Sequence, residues 1–165
     1  MKLLKQGEAG WKYGLEQKEG MLLRALVKEF PLTAATAVKI TRTGTDSKSA
    51  ERERLLNESL AGHRQELKRQ AGKLLAANLK TGKNGWQLTV NVSEREILLQ
   101  LFNDIRVGSW HALGEPENLD TLPPDSSEAD LRHHQLMHLA GYFEWKLLNL
   151  KAGTAVEGRA SGDED

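Results

Sequence analysis

From Lys48 to Lys80 the chain repeats apolar residues at intervals of three and four, with Leu56, Leu60, His63, Leu67, Ala71 and Leu74 on one line and Glu, Lys and Arg interleaved elsewhere. A fifth of the sequence is thereby committed to one long amphipathic helix, or to two joined at a kink near Gly62 or Gly72. Such a rod cannot bury its stripe alone. The other elements must supply a surface for it.

They read as short. Residues 2–6 and 11–15 flank Gly7-Glu8-Ala9-Gly10 and predict a small β-hairpin. Glu16 to Phe30 places Met21, Leu22, Ala25, Leu26 and Phe30 at helical spacing, and Pro31 ends the run. Val38 and Ile40 within residues 37–43 predict a strand. Residues 81–85 read as a loop, and Trp86 to Val92 alternates as a half-buried strand. Ser93 with Glu96 fits a capping box for a third helix ending near His111, burying Ile97, Leu98, Leu101, Phe102 and Ile105. Three of the four prolines fall between Gly114 and Asp125, a surface loop able to close over a neighbour or a partner. The last helix starts from Asp125 with Glu128, or from Ser127 with Asp130, and carries Leu136, Leu139, Ala140, Phe143, Leu147 and Leu150 on one stripe. The expected fold is mainly α (α+β): about four helices, one of them long, packed with a small antiparallel sheet of three or four short strands. Residues 1–151 form the expected single domain, and 152–165 an acidic, disordered tail.

Composition removes several chemistries. Without cysteine there is no disulfide, thiolate metal cage or thiol nucleophile. Polar and acidic residues follow Met1 too soon for a signal peptide, and no apolar run nears the ~18 residues of a membrane span, so the expected compartment is the cytoplasm. The formal net charge of zero hides an asymmetry: residues 1–83 carry 17 Lys/Arg against 9 Asp/Glu, and residues 84–165 carry 6 against 14. Opposed halves of this kind favour self-association, most simply a homodimer, or docking on a protein partner. Nucleic acid is the weaker reading, because the basic residues of the long helix are interrupted by Glu51, Glu53, Glu58 and Glu66.

Two polar groups invite a chemical reading. Asp130, His134 and His138 are each four residues apart, which stacks them on one helix face where two imidazoles can chelate a divalent metal. His111 and Glu144 would complete the set if the fold brought them close, and the alternative is a polar face or subunit contact. The histidines lack the adjacent glutamate of a zinc-protease helix. Asn103, Asp104 and Arg106 form the second group, either an anion grip through Arg106 or a structural Arg–Asp network. No nucleophile with a base accompanies either, and no glycine-rich loop matches a phosphate or dinucleotide fingerprint, so no organic cofactor is expected. The four tryptophans lie in separate elements, as packing residues do.

The stretch Val90 to Gly114, a strand running into a capped helix with Leu101-Phe102-Asn103-Asp104-Ile105-Arg106, resembles the signature segment of a bacterial family, domain of unknown function two thousand and seventeen. Leu22-Leu23-Arg24-Ala25-Leu26 and Tyr142-Phe143-Glu144-Trp145-Lys146-Leu147-Leu148 are compatible with it, and the overlap covers about a fifth of the chain. The chain departs from the family after Arg106, where Val107-Gly108-Ser109-Trp110-His111 replaces a leucine-rich continuation. The resemblance implies a compact, mainly helical cytosolic protein with a regulatory or adaptor role linked to Clp proteolysis, since genes of the family often lie near that of a Clp adaptor. It transfers no catalytic residue.

Overall fold

The computed structural model describes residues 1–31, 47–82 and 85–149. Four helices pack with a four-stranded antiparallel sheet, in the order β1 (Lys2–Gly7), β2 (Gly10–Leu15), α1 (Gln17–Glu29), α2 (Ser47–Asn78), β3 (Leu79–Gly82), β4 (Gly85–Val90), α3 (Val92–Ala112) and α4 (Glu128–Leu148). The expected strand at 37–43 and the tail at 152–165 lie outside the described residues.

The sheet order is β1-β2-β4-β3. Glu8 and Ala9 turn the first hairpin, whose last bridge joins Gly7 to Gly10. Leu3, Tyr13, Leu15, Leu79, Leu88 and Val90 are all buried, with Tyr13 opposite Leu88 and Leu88 opposite Leu79, so one face of the sheet supplies one side of the core. Gly10 and Gly85 have φ of 128° and 130°, and a Cβ at either would lie 2.2 Å from a carbonyl oxygen of the neighbouring strand, Val90 and Leu15 respectively. Only glycine meets both conditions at these strand ends.

Two sequence expectations shift. Residues 79–82, expected as the helix end and the start of a loop, form β3 and pair with β4 from Leu79 opposite Leu88 to Gly82 opposite Gly85. Ladder hydrogen bonds to β4 replace the helical bonds that Leu79 and Lys80 would otherwise make. The capping box of α3 lies two residues earlier than expected, on Asn91 and Glu94: the Asn91 side chain accepts from Glu94 N, and Asn91 N donates to Glu94 Oε2, both at 2.9 Å. β4 ends at the buried Val90, and Asn91, the next residue, caps the helix.

α2 is a single helix of 32 residues, about 48 Å long. Its C-terminal half buries Leu67, Ala71, Leu74 and Leu75. The N-terminal half leaves Leu55 and Leu56 exposed, although Leu56 continues the line of Leu67, Ala71 and Leu74. α1 buries Gly20, Leu23, Leu26 and Val27, and Phe30 just after it, while Met21 and Leu22 face outward. The centre of the core is the α3–α4 pair, where Leu98, Leu101, Phe102 and Ile105 meet Leu136, Ala140, Phe143 and Leu147, and the Phe102 and Phe143 rings stack at 5.8 Å. Arg95 ties this pair to the sheet. Its guanidinium lies 4.5 Å over the Trp11 ring and donates from Nε and Nη2 to the Leu147 carbonyl at 3.1 and 2.8 Å. Among the described residues no helix is long and apolar enough to cross a membrane.

Candidate functional site

α4 opens on Ser127. Its hydroxyl accepts from Asp130 N at 3.1 Å, while its own N–H and hydroxyl donate to Asp130 Oδ2 at 2.9 and 2.7 Å. These bonds hold the Asp130 carboxyl below the usual aspartate range. Of the three residues spaced four apart, Asp130 is thus engaged at the helix end, and the two imidazoles meet one and two turns further on. His134 Nε2 and His138 Nε2 are 3.1 Å apart, with ring centroids separated by 4.3 Å.

The third group at this point is a backbone carbonyl. After α3, Gly114 and Glu115 take positive φ and Trp110 Nε1 donates to the Pro116 carbonyl at 3.2 Å, folding the proline-rich loop back on the helices. Asp120 N then donates to Asn118 Oδ1 at 2.9 Å, a local turn around Leu119. The Leu119 carbonyl oxygen arrives 3.0 Å from both Nε2 atoms. The loop as a whole carries Glu115, Glu117, Asp120 and Asp125 and no Lys or Arg between 113 and 127. Neither of the other suggested ligands joins the imidazoles: His111 Nδ1 contacts Glu115 Oε1 at 2.9 Å, and Glu144 pairs with Arg106. Among the described residues no three His, Cys, Asp or Glu side chains are grouped to hold a metal ion.

The imidazole pair lines one side of a groove. α1 and α4 run antiparallel, linked by Glu19 with Tyr142 toward one end and by Glu29 with Arg132 toward the other. Between these contacts Leu22, Ala25, Leu26, Leu136 and Leu139 line a cleft of about 600 Å³ that His134 and His138 also border. Leu22 is 45% exposed and its neighbour Met21 59%, a large apolar surface for a helix otherwise well packed.

Asn103, Asp104 and Arg106 do not form one cluster. Asn103 is exposed, Asp104 Oδ2 accepts from Arg64 Nε of α2 at 2.9 Å, and Arg106 pairs with Glu144 of α4. Asp104 and Arg106 therefore fasten α3 to two different helices. On α2, Arg54 pairs with Glu51 and Glu58, and Arg69 with Glu66, so much of its positive charge is balanced along the helix itself. A feature that sequence reasoning missed is a cleft of about 400 Å³ between α1 and α2, where Arg24, Lys28 and Lys68 surround Trp86. Arg24 and Lys28 are one turn apart on α1, but Lys68 of α2 and Trp86 of β4 join them only through the packing of the elements, which a sequence does not relate to one another. The Leu119 carbonyl was equally invisible, because a backbone oxygen has no residue signature. In comparisons with known protein families, curated proteins and solved structures, this chain matches none.

Proposed function

We propose that this protein is a non-catalytic interaction module of the regulatory or adaptor type, and that the α1–α4 groove receives the projecting half of α2 from a second copy of the chain. The groove carries the reading: exposed Leu22 beside Leu139 forms a channel between two antiparallel helices, the surface that accepts an amphipathic helix. The chain presents such a helix. Residues 47–66 extend roughly 30 Å and expose Leu55 and Leu56.

The docking half of α2, residues 47–66, carries four Lys/Arg and four Asp/Glu, so this pairing rests on apolar contact and not on opposite charge. Reciprocal exchange between two copies closes on itself about a twofold axis, whereas one-way docking would leave an open chain of molecules. The resemblance of Val90 to Gly114 to a family linked with a Clp adaptor supports the same class of role.

Sedimentation velocity tests it. The wild-type chain is expected to reach a dimer at micromolar concentration, and Leu22→Lys in the groove or Leu56→Lys on the helix to return it to monomer. Mixing these two variants should recover dimer in part, because each mixed pair keeps one unaltered helix–groove contact. A wild-type chain that remains monomeric at high concentration, or variants that leave the dimer intact, would overturn the reading.

A further inference from the structure

Hydrogen-bond accounting fails where Leu119 meets α4. Three atoms, His134 Nε2, His138 Nε2 and the Leu119 carbonyl oxygen, lie mutually 3.0, 3.0 and 3.1 Å apart. A neutral imidazole has one N–H and one lone pair. If both Nε2 atoms carry hydrogen, both can donate to Leu119, but two N–H groups then face each other. If one does, the other ring directs a lone pair at the carbonyl oxygen or competes for the same hydrogen. If neither does, three acceptors confront one another. No tautomer satisfies all three contacts, and protonating both rings adds charge repulsion.

A cation shared by the three lone pairs removes the conflict. From these atoms we infer a divalent transition-metal site formed by His134, His138 and the Leu119 carbonyl. Donors bound to one ion at about 2.1 Å lie roughly 3.0–3.4 Å from one another, and these three atoms converge to that spacing. The remaining coordination positions would be open to water, since His138 is exposed.

Two imidazoles with one carbonyl favour a borderline ion of the nickel or cobalt kind over magnesium or calcium, which prefer all-oxygen sets. The acidic residues of the same loop, Asp120 next to Leu119 among them, add a field that attracts a cation. Asp130 is not a ligand in this site, because its carboxylate caps α4. The site does not depend on the dimer proposed above. All three donors belong to one chain.

The test is calorimetric titration of the full-length, untagged protein with nickel chloride, repeated with cobalt to follow its visible absorption. One ion per chain is expected, with nickel binding more tightly than cobalt and magnesium not competing. His134→Ala and His138→Ala should each weaken nickel at least tenfold, while His111→Ala and Asp130→Asn leave it within about twofold. Both histidine changes replace a partly or fully exposed helical residue by the best helix former, so the fold is retained and circular dichroism verifies it. Absence of saturable nickel binding, binding that survives both histidine substitutions, or an Asp130→Asn effect as large as theirs would overturn the assignment. A Leu22→Lys chain that is monomeric yet binds nickel normally separates this result from the fate of the dimer.

Discussion

Three helical glycines allow the packing to be tested with one substitution. Replacing glycine by alanine inside a helix stabilises it by about 1 kcal/mol when the added methyl meets nothing. Gly62 and Gly72 on α2 satisfy that condition, with no atom within 4 Å of a built Cβ. Gly20 on α1 does not: its Cβ would lie 2.3 Å from Cγ and Cδ1 of Trp86 and 2.7 Å from Nε1. The indole cannot swing aside freely, since Trp86 pairs with Leu15 and Thr81 in the sheet and lies under Arg24. Overpacking of this sort costs about 1–3 kcal/mol, so after the helical gain Gly20→Ala should give no stabilisation and a net loss of up to about 2 kcal/mol. Gly72→Ala, in the half of α2 that contributes to the core, should raise the midpoint of thermal unfolding by about 2–4 °C. Gly62→Ala lies in the projecting half and should act locally, slowing amide exchange around residues 58–66 with a smaller change in midpoint. Thermal denaturation followed by circular dichroism, with hydrogen exchange, reads all three. Equal stabilisation by Gly20→Ala and Gly72→Ala would mean that Trp86 does not rest on Gly20, and would refute the α1–sheet packing.

Hydrogen bonds elsewhere in the fold give three further outcomes. Arg95→Met should cost about 2–3 kcal/mol in urea unfolding, because a charged donor pair to the Leu147 carbonyl is lost, and Arg95→Lys should recover only part of it; Tyr13→Phe removes a 3.3 Å bond to that same carbonyl and should cost about 1 kcal/mol or less. Asp130 has a lowered pKa in the folded chain through its bonds to Ser127, so its contribution is complete above the ordinary aspartate range and is lost as pH falls through the folded value. Wild type should therefore lose helicity on acidification more steeply than Ser127→Ala, and parallel acid titrations of the two would contradict the cap.

Much of the fold was legible because the periodicities were local. The first hairpin, α1, the long α2, β4, α3 and α4 all lie where apolar spacing puts them, to within a few residues at their ends, and Ser127 with Asp130 is one of the two caps the sequence offers for α4. The failures have physical causes. Leu79 fits the stripe of α2 as well as it fits a strand, and only pairing with β4 decides. Asn91–Glu94 and Ser93–Glu96 are the same capping pattern two residues apart, and the end of β4 selects the first. On α1, Met21-Leu22-Leu23 offers a choice of apolar faces. Tertiary packing buries Leu23, leaves Met21 exposed and sets Leu22 at the groove, so a residue that fits the core stripe lines the candidate binding surface instead. Within the imidazole group, the spacing of four sets His134 beside His138, while Asp130 bonds to Ser127 and the oxygen facing both imidazoles is the Leu119 carbonyl, which no side-chain pattern marks.

Because the chain has no cysteine, one engineered thiol per molecule reports a single contact unambiguously. The most direct test of the helix exchange mixes Ser59→Cys, on the projecting half of α2, with Gln135→Cys, on the groove wall, under mild oxidation. A disulfide-linked pair containing one chain of each variant is expected, formed faster than either variant links to itself and suppressed when Leu22→Lys is added to the Gln135→Cys chain. Cross-links that form at the same slow rate in every combination, with the mixture sedimenting as monomers, would contradict it.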